Sequence, residues 1–517
     1  MRGNEVFLKG DNREVAIVES QIEPVMMYRP KGFEHSEDYK EGKWDGFVHL
    51  YRRYSHSFPR GMLTEVLTLL EVIEQPYKVE DRSVFVCERS AIHNKTGMSK
   101  SLRPYQKDTS TRALKQERGI ICLPTGTGKT LVSADIIRKI GTSAVIFVHK
   151  LDLMEQWKAS LCDIYGIKPD EVGTVGNGVV DIKPLTVAMV QTVSKLPKEL
   201  FENFGCTVID ECHHVAADLV YDIAMNSRSK YLFGLSATPY RADGHDMKIT
   251  GALGEHIIKI SLTDMIDQGY LARPTVRMLQ VPPRTYARKA KYADIYRDYI
   301  VDNEVRNKKI IDAVNIALAE KKSVYVHVKI LRHGELLHKS IPKSVWISGT
   351  TNLKVRTKAI SVFQSEGGCL ISDLLGEGVD VPGMDVLVMA CGGLSEVFVR
   401  QLIGRVLRIS ADKKAVEIID FMDGAKHLMK HSGERLWVYK TEKAFTVTQT
   451  PHNANITVVK KEGAKLSVVK AENEPLVCSI CGADHWEVVG VATNWVNLKD
   501  KSGHLKTVYG ALKEEAE

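Results

Sequence analysis

The chain has 517 residues, of which 44% are hydrophobic and 26% charged, and its formal net charge is +7 at pH 7. This composition is that of a soluble globular protein of about three or four domains, and the charge permits an acidic partner such as nucleic acid without requiring one. The sequence has no apolar stretch of the ~18 residues that a membrane helix needs, and no apolar signal-peptide core follows Met1. Since the nine cysteines are scattered and odd in number, we expect a soluble, cytoplasmic protein in a reducing compartment.

Residues 1–95 are predicted to form a small α+β N-terminal domain. Short β-type runs occur at Glu5–Leu8, Glu14–Val18 and Gly46–Leu50, and an apolar pattern of helical spacing covers Thr64–Glu74. These elements are too few and too short to belong to a large sheet, so we expect a separate module.

Residues 96–275 and 307–431 each alternate short apolar runs with amphipathic helical segments. Examples of the runs are "GIICLP", "SAVIFVH" and "CTVIDE" in the first part and "SVYVHV", "GCLISD" and "AVEIID" in the second. Apolar strands that alternate with helices are typical of parallel sheets covered on both faces. We therefore predict an α/β fold with two doubly wound parallel-sheet lobes, a basic linker over 276–306 that includes a helix, and a C-terminal extension over 432–517.

The stretch "LPTGTGKTLVSADII" joins a predicted strand to a predicted helix through a glycine-rich turn. Backbone N–H groups of such a turn, at a helix N-terminus, form an anion site, and glycine lets the chain curl around phosphates. In this arrangement Lys129 reaches the β- and γ-phosphates and the Thr130 hydroxyl ligates Mg²⁺. The loop residues predicted to bind a nucleotide are Thr125, Gly126, Thr127, Gly128, Lys129 and Thr130.

The second motif, "CTVIDECHH", places Asp210 and Glu211 at the end of a predicted apolar strand. A carboxylate pair beside Mg²⁺ suits nucleotide hydrolysis, because one carboxylate holds the metal through its water shell and the other orients the attacking water. We assign the first role to Asp210 and the second, catalytic role to Glu211, so the predicted cofactors are ATP and Mg²⁺.

Four segments, "LPTGTGKT", "DECHH", "GLSATP" and "QLIGRVLR", occur in the order and rough spacing of superfamily 2 helicases of the DExH type. Within that superfamily, residues 100–425 resemble the group that contains the XPB repair helicases and the UvsW-like phage helicases. The resemblance implies two RecA-like lobes and an ATP-hydrolysing enzyme. It also implies that nucleotide hydrolysis moves one lobe relative to the other along a nucleic-acid strand.

The resemblance assigns further roles by position. It makes Tyr105 and Gln106 the adenine-recognising residues and implies that Arg405 and Arg408 act as arginine fingers on the γ-phosphate, which are worth roughly 10³–10⁵ in rate. The residues assigned to coupling of the nucleotide site with the strand are His213, Ser236, Thr238 and Gln401, and those assigned to the ribose are Gly378 and Asp380.

Two further stretches bear on partners and metals. "WDGFVHLYRRYSHSFPRG" resembles the N-terminal domain of UvsW-like helicases, and its Arg52, Arg53 and Arg60 either contact DNA phosphates or form a solvated edge. "LVCSICGADHW" gives Cys478 and Cys481 the spacing of half a zinc site, with His485 as a third ligand, although a second Cys pair is absent.

We therefore predict an ATP-dependent DNA helicase or translocase that remodels or unwinds duplex, single-stranded or branched DNA in repair, recombination or replication. Two alternatives remain open at the level of sequence. One is a DExH RNA helicase, because the core motifs distinguish the sugars poorly. The other is a nucleotide-gated DNA-binding switch that does not unwind processively.

Overall fold

The computed structural model describes residues 3–85, 97–213, 217–238, 244–374, 384–393, 396–409 and 415–449, together with five strands beyond residue 455. These residues fall into two compact units. The first contains the chain up to Arg273 together with 396–409, and the second contains 274–373, 384–393 and the chain from 415 onward.

The N-terminal module consists of two small antiparallel sheets and three helices around a core that includes Ile22, Met26, Phe58 and Val66. Strand β1 pairs with β4, and β2 pairs with β3. Its elements are β1 (Glu5–Phe7), α1 (Asn12–Ile22), β2 (Met27–Tyr28), α2 (Glu37–Lys40), β3 (Val48–His49), β4 (Ser57–Pro59) and α3 (Leu63–Val72).

The prediction of a strand over Glu14–Val18 is wrong, because these residues lie within helix α1. The side chain of Asp11 accepts hydrogen bonds from the backbone N–H groups of Arg13 and Glu14 and so caps the helix. An aspartate at this position satisfies backbone donors that a helix otherwise leaves unpaired, which favours helix over strand.

The first lobe is built on an eight-stranded sheet whose order is β12-β5-β11-β10-β6-β9-β7-β8. All neighbours are parallel except β7 and β8. The strands are β5 (Arg118–Cys122), β6 (Ala144–Val148), β7 (Gly173–Gly176), β8 (Val179–Asp181), β9 (Leu185–Met189), β10 (Cys206–Ile209), β11 (Tyr231–Ser236) and β12 (His256–Lys259).

Helices connect these strands and cover both faces of the sheet with separate apolar clusters. The helices are α4 (Pro104–Gln116), α5 (Lys129–Ile140), α6 (Leu151–Tyr165), α7 (Val190–Val193), α8 (Ala217–Asn226), α9 (Asp246–Leu253) and α10 (Leu262–Asp267). Strands buried on both faces are the expected form of a doubly wound sheet. The carboxyl ends of β5, β10 and β11 therefore lie at one edge, which is where ligands bind in such folds.

The N-terminal module packs onto the first lobe within the same compact unit. The Asn4 side-chain amide donates to Ala224 O and Ser227 O, both at 2.7 Å, and Asn4 Oδ1 accepts from Arg118 at 3.2 Å. A Cβ atom on Gly61 would lie 2.2 Å from the carbonyl oxygen of Thr250 on α9. Only glycine permits this close approach of two backbones.

The second unit contains a seven-stranded sheet in the order β15-β16-β14-β17-β18-β13-β19. The strands are β13 (Arg273–Gln280), β14 (Val324–His327), β15 (Ser344–Ile347), β16 (Cys369–Ser372), β17 (Val386–Met389), β18 (Ala415–Met422) and β19 (Thr446–Gln449). Its helices are α11 (Tyr292–Tyr296), α12 (Glu304–Ala319), α13 (Leu331–Ser340), α14 (Leu353–Glu366) and α16 (Lys426–Thr441). Helix α15 (Glu396–Val406) groups with the first unit.

Helical structure covers only the second half of the linker predicted over 276–306. Residues 273–280 form strand β13 of the second sheet, and helical structure begins at Tyr292 and continues through a π-helical turn over Arg297–Val301. Pro282 and Pro283 lie in between, and proline lacks the N–H that a helix interior requires.

Two arginines and two aspartates form a buried ion network in the second unit. Arg306 donates to Asp423 at 3.0 Å and Arg435 donates to Asp420 at 2.9 and 3.0 Å. Arg435 and Asp423 are linked at 3.5 Å, and all four side chains are fully buried. The network joins helices α12 and α16 to the end of strand β18.

The C-terminal extension contains two further antiparallel sheets. One pairs β20 with β21, and the other contains β22, β23 and β24. The strands are β20 (Ile456–Val459), β21 (Ser467–Lys470), β22 (Trp486–Ala492), β23 (Trp495–Asp500) and β24 (Leu505–Tyr509). Among the described residues, none of the helices combines the length and apolar character that a membrane crossing requires.

Candidate nucleotide-binding site

The predicted phosphate loop lies between β5 and α5, at the carboxyl edge of the first sheet. Gly126 and Gly128 adopt left-handed backbone conformations, with φ of +86° and +87°. A Cβ atom on Gly128 would lie 2.5 Å from Gln106 Nε2, and one on Gly126 would lie 2.9 Å from the Arg408 side chain. Both the backbone conformation and the surrounding space therefore require glycine at these two positions.

Tyr105 and Gln106 fix the outer side of this loop. The Tyr105 hydroxyl and the Gln106 amide both donate to the carbonyl oxygen of Thr127, at 2.6 and 2.8 Å, and Gln106 Oε1 accepts from the Arg103 backbone at 2.8 Å. The segment assigned to adenine recognition is thus hydrogen-bonded to the phosphate loop. The ring of Tyr270 adds a second aromatic surface, 4.9 Å from the Tyr105 ring, with the Arg103 guanidinium 4.9 Å from its centroid.

Lys129 and Glu211 meet at the bottom of the loop. Lys129 Nζ lies 3.3 Å from Glu211 Oε1 and 3.5 Å from the carbonyl oxygen of Leu123, and both charged side chains are only partly exposed. A lysine at the start of α5 adds its charge to the positive end of the helix, which favours a phosphate. Thr130 follows on the same helical turn.

Asp210 is more buried than Glu211, with 6% exposure. Its carboxylate accepts hydrogen bonds from the backbone N–H of Glu211 at 2.9 Å and from the indole N–H of Trp157 at 2.6 Å. Burial, followed by the neighbouring Glu211 charge, raises the pKa of Asp210 to about 6. Glu211 itself has a left-handed φ of +48°, which is uncommon for a residue with a side chain.

The residues assigned to coupling lie beside this pair. The Ser236 hydroxyl donates to the carbonyl oxygen of Thr238 at 2.7 Å and accepts from the Thr238 N–H at 3.1 Å, which closes a tight turn at the end of β11. The buried His213 ring stacks on His256, with 6.1 Å between the ring centroids. The turn follows β11 and His213 follows β10, whereas His256 is the first residue of β12.

Helix α15 brings its predicted motif to the phosphate loop. Gln401 Nε2 lies 3.5 Å from Glu211 Oε2, and a Cβ atom on Gly404 would lie 3.0 Å from the Thr125 side chain. Arg408 is in contact distance of Gly126, and Arg405 lies on the same end of the helix. The structure therefore gathers the phosphate loop, the acidic pair and this motif in one place.

The chemistry of the residues fits a magnesium nucleotide. The hydroxyl of Thr125 is buried without a hydrogen-bond partner among the described residues, so it is free to pair with a phosphate oxygen. No group of three or more His, Cys, Asp or Glu side chains in the described part of the chain could hold a metal alone. A magnesium ion at Thr130 and Asp210 would need phosphate and water oxygens to complete its shell, as it usually does in nucleotide sites.

The N-terminal arginines are engaged in ion pairs within the protein. Arg52 pairs with Glu5, Arg53 with Glu23, and Arg60 with Asp81 at 2.9 Å. Contact of these arginines with DNA stays a prediction.

Two other groups of predicted residues lie outside the described residues. They are Gly378 and Asp380, assigned to the ribose, and Cys478, Cys481 and His485, considered for zinc. Neither matched family region, described below, includes the proposed zinc ligands, and zinc has no support.

The structure brings Trp157, which was not among the predicted site residues, to the acidic pair. Trp157 lies in helix α6, and its indole N–H donates a hydrogen bond to Asp210 Oδ2 at 2.6 Å. The signal available in the sequence was a tryptophan in an amphipathic helix, which ordinarily indicates core packing.

Two sequence families match the chain. The model described as "Type III restriction enzyme, res subunit" matches residues 99–241, and the model described as "Helicase conserved C-terminal domain" matches residues 299–410. Together they include every predicted site residue of the ATP site and the coupling motifs.

Similar proteins include proteins named as DNA helicases or translocases from a phage and from archaea. The ATP-dependent DNA helicase uvsW of Enterobacteria phage T4 is 24% identical over 478 residues, covering 83% of this chain and 95% of the relative. The DNA 3'-5' translocase XPB2 of Sulfurisphaera tokodaii is 27% identical over 361 residues, covering 61% and 80%. The Rad25 protein of Haloarcula marismortui is 28% identical over 323 residues, and the alignment spans 61% of this chain but only about half, 52%, of that relative.

Among solved structures, a fragment of an HsdR subunit of a type I restriction enzyme from Vibrio vulnificus YJ016 has a TM-score of 0.50 at 18% identity, covering 81% of this chain and 82% of that one. At this identity the likeness concerns the fold alone, and it agrees with two parallel α/β sheets. The chain is thus a superfamily 2 helicase, a member of a class of ATP-hydrolysing enzymes, related to the UvsW and XPB/Rad25 DNA helicases.

Proposed function

We propose that this chain is an ATP-dependent DNA helicase or translocase that remodels or unwinds duplex, single-stranded or branched DNA in repair, recombination or replication. The observation that carries the proposal is the position of Glu211, which lies 3.3 Å from Lys129 and 3.5 Å from Gln401. One carboxylate is thereby in reach of both the phosphate-loop lysine and the α15 motif.

The roles of the residues follow from this geometry. Mg²⁺-ATP, when bound, supplies the phosphoanhydride bond that is hydrolysed, and the metal ion would neutralise part of the triphosphate charge. Lys129 and the helix α5 N-terminus bind the phosphate charge, and Glu211 orients a water and accepts its proton. Arg408, beside Gly126, and Arg405 stabilise the negative charge that develops in the transition state.

The contact of Gln401 with Glu211 explains how ATP hydrolysis could respond to a bound nucleic-acid strand. Because the Gln401 amide shares Glu211 with Lys129, a shift of α15 changes the surroundings of the water-orienting carboxylate directly. The turn formed by Ser236 and Thr238 lies at the end of the neighbouring strand and offers a second route to the same carboxylate. Both routes predict that polymer binding changes the rate of hydrolysis more than it changes nucleotide affinity.

DNA is favoured over RNA by the names of the relatives, several of which are described as DNA helicases or translocases. The experiment is steady-state ATP hydrolysis with no polymer, single-stranded DNA, duplex DNA, a four-way DNA junction or single-stranded RNA. We expect the strongest stimulation with junction or duplex DNA. Stimulation by RNA alone would overturn the DNA assignment in favour of an RNA helicase.

A strand-displacement assay separates a motor from a nucleotide-gated switch. A fluorescently labelled strand on a forked duplex is expected to be released in the presence of ATP and Mg²⁺. A switch would instead hydrolyse ATP without releasing the strand, and its DNA affinity would change with the bound nucleotide.

A further inference from the structure

The Trp157 side chain makes a hydrogen bond that its packing alone does not require. Trp157 lies on helix α6, it is 3% exposed, and its indole Nε1 donates to Asp210 Oδ2 at 2.6 Å. An apolar side chain of similar size would fill the same space without contacting the carboxylate. The tryptophan therefore contributes a donor as well as volume.

The bond matters because Asp210 is itself almost fully buried, with 6% exposure. A buried carboxylate is costly unless its oxygens are hydrogen-bonded. Oδ1 accepts from the Glu211 backbone and Oδ2 from Trp157, so each oxygen has one donor and the orientation of the carboxylate is fixed from two sides. Each oxygen also retains a lone pair for another partner.

The two donors come from different elements. The Glu211 N–H belongs to the turn that follows β10, whereas Trp157 belongs to α6, which follows the adjacent strand β6. Helix α6 thus contacts the acidic pair from the neighbouring βα unit. Residues that orient a metal-holding carboxylate in this way typically change metal affinity or activity about 10- to 100-fold when they are removed.

We propose that Trp157 is a positioning residue, which holds the Asp210 carboxylate in the orientation needed to bind Mg²⁺ at the nucleotide. The inference rests on the proposed function, since it takes Asp210 as the metal-holding carboxylate. Removal of the indole donor would let the carboxylate rotate and would weaken the Mg²⁺-dependent part of nucleotide binding, while the contacts of Lys129 and the phosphate loop remain.

The test is Trp157→Phe, which removes the donor and keeps an aromatic ring. The matched control is Tyr165→Phe on the same helix, which removes a buried hydrogen bond from the Tyr165 hydroxyl to Ala134 O at 2.6 Å, away from the acidic pair. ADP binding is measured by calorimetry in Mg²⁺ and in EDTA, and steady-state hydrolysis is measured over a range of Mg²⁺ concentrations.

In Trp157→Phe we expect ADP affinity in Mg²⁺ to fall about 10-fold or more, and the Mg²⁺ concentration for half-maximal hydrolysis to rise by a similar factor. Affinity in EDTA should stay within about twofold of the unmodified protein, and Tyr165→Phe should match the unmodified protein in all three measurements. An equal loss in Mg²⁺ and EDTA, or an unchanged Mg²⁺ requirement, would overturn the proposal.

Trp157→His distinguishes positioning from packing, because the imidazole offers an N–H donor but fills less space than either ring. Its Mg²⁺ requirement should lie closer to that of the unmodified protein than does that of Trp157→Phe. If both variants lose Mg²⁺-dependent ADP binding equally, Trp157 only fills the core and the proposal fails. The calorimetric readout does not need turnover, so a protein that binds Mg²⁺-ADP but hydrolyses nothing would count against the proposed function alone.

Discussion

The two compact units of the chain use clusters of opposite charges differently. In the first unit, Lys129 at the start of α5 and Glu211 in the turn after β10 lie 3.3 Å apart, with side chains 12% and 17% exposed. In the second unit, Arg306, Asp423, Arg435 and Asp420 are fully buried and linked at 2.9 to 3.5 Å. The residue types are similar, but only the first cluster is open to a ligand.

This difference shows how burial separates a binding site from a structural element. Charges buried together are costly to break, because removal of one partner leaves the other charged and desolvated. A lysine and a glutamate that are partly exposed and joined by a single contact can exchange that contact for a phosphate and a water. Mutations in the first cluster are therefore expected to affect chemistry, and mutations in the second to affect stability.

The largest effect is expected for Lys129→Ala. Loss of this charge from the phosphate site should lower the rate of ATP hydrolysis by about 10³- to 10⁵-fold, comparable to other cations that act on the γ-phosphate. The measurement is steady-state hydrolysis, with DNA affinity determined by fluorescence anisotropy.

The matched control for that variant is Lys139→Ala on the same helix, where the lysine pairs with Asp135 at 2.6 Å. It should retain hydrolysis. We expect Lys129→Ala to keep its DNA affinity, because Lys129 lies in the nucleotide site. Loss of DNA binding in the folded variant would contradict this expectation.

Arg435→Met tests the second cluster. It leaves Asp420 buried without its guanidinium and should lower the free energy of unfolding by about 3–5 kcal/mol. Urea titrations followed by circular dichroism give the value. In contrast, Arg297→Met removes an exposed pair with Asp294, with side chains 62% and 55% exposed, and should cost less than about 1 kcal/mol. Equal losses in the two variants would break the distinction between buried and exposed pairs.

Acid should also destabilise the second unit, through His333. Burial, followed by the nearby Arg306 charge, lowers the pKa of His333 from 6.5 to about 3. A histidine with a depressed folded-state pKa contributes stability that is present above its unfolded pKa and is lost as the pH falls towards its folded pKa. Between pH 7.5 and 5 we expect a loss of about 2 kcal/mol from this residue.

The pH effect is measured by urea titration at several pH values. His333→Gln keeps a polar side chain next to Asn307, with which His333 is hydrogen-bonded at 2.9 Å, and has no proton to gain. Its stability should change less between pH 7.5 and 5 than that of the unmodified protein. The same slope in both proteins would assign the acid sensitivity to other groups.

An effect of similar size is expected at the uncharged contact between the N-terminal module and the first lobe. Gly61→Ala would place a methyl group 2.2 Å from the Thr250 carbonyl, and the resulting shift should cost about 1–3 kcal/mol in unfolding free energy. The control is Gly97→Ala, where the added Cβ meets nothing within 4 Å. A tolerated Gly61→Ala would mean that the two parts are not closely packed.

The sequence predicted the sheets and the phosphate loop because both depend on local patterns. Apolar runs that alternate with helices define the strands, and the glycines of the loop are needed for left-handed backbone at 126 and 128. Glu14–Val18 was misassigned because the deciding group, the Asp11 cap, lies outside the apolar pattern. Trp157 was not identified because its role depends on a contact 53 positions away, between neighbouring βα units, that no spacing in the sequence reveals.

The packing of the N-terminal module against α9 has a consequence for dissection of this protein. The Asn4 amide reaches its acceptors, Ala224 O and Ser227 O, only when residues 3–85 and the first lobe are both present, and Arg118 would lose its contact with Asn4 Oδ1. A truncated chain that begins at residue 97 would expose the Ala224 and Ser227 carbonyls together with the apolar surface that Leu50 and Met62 cover on α9. The boundary suggested by the start of the helicase motifs is thus a poor place to divide the molecule, and such a fragment should be prone to aggregation and to cleavage by proteases.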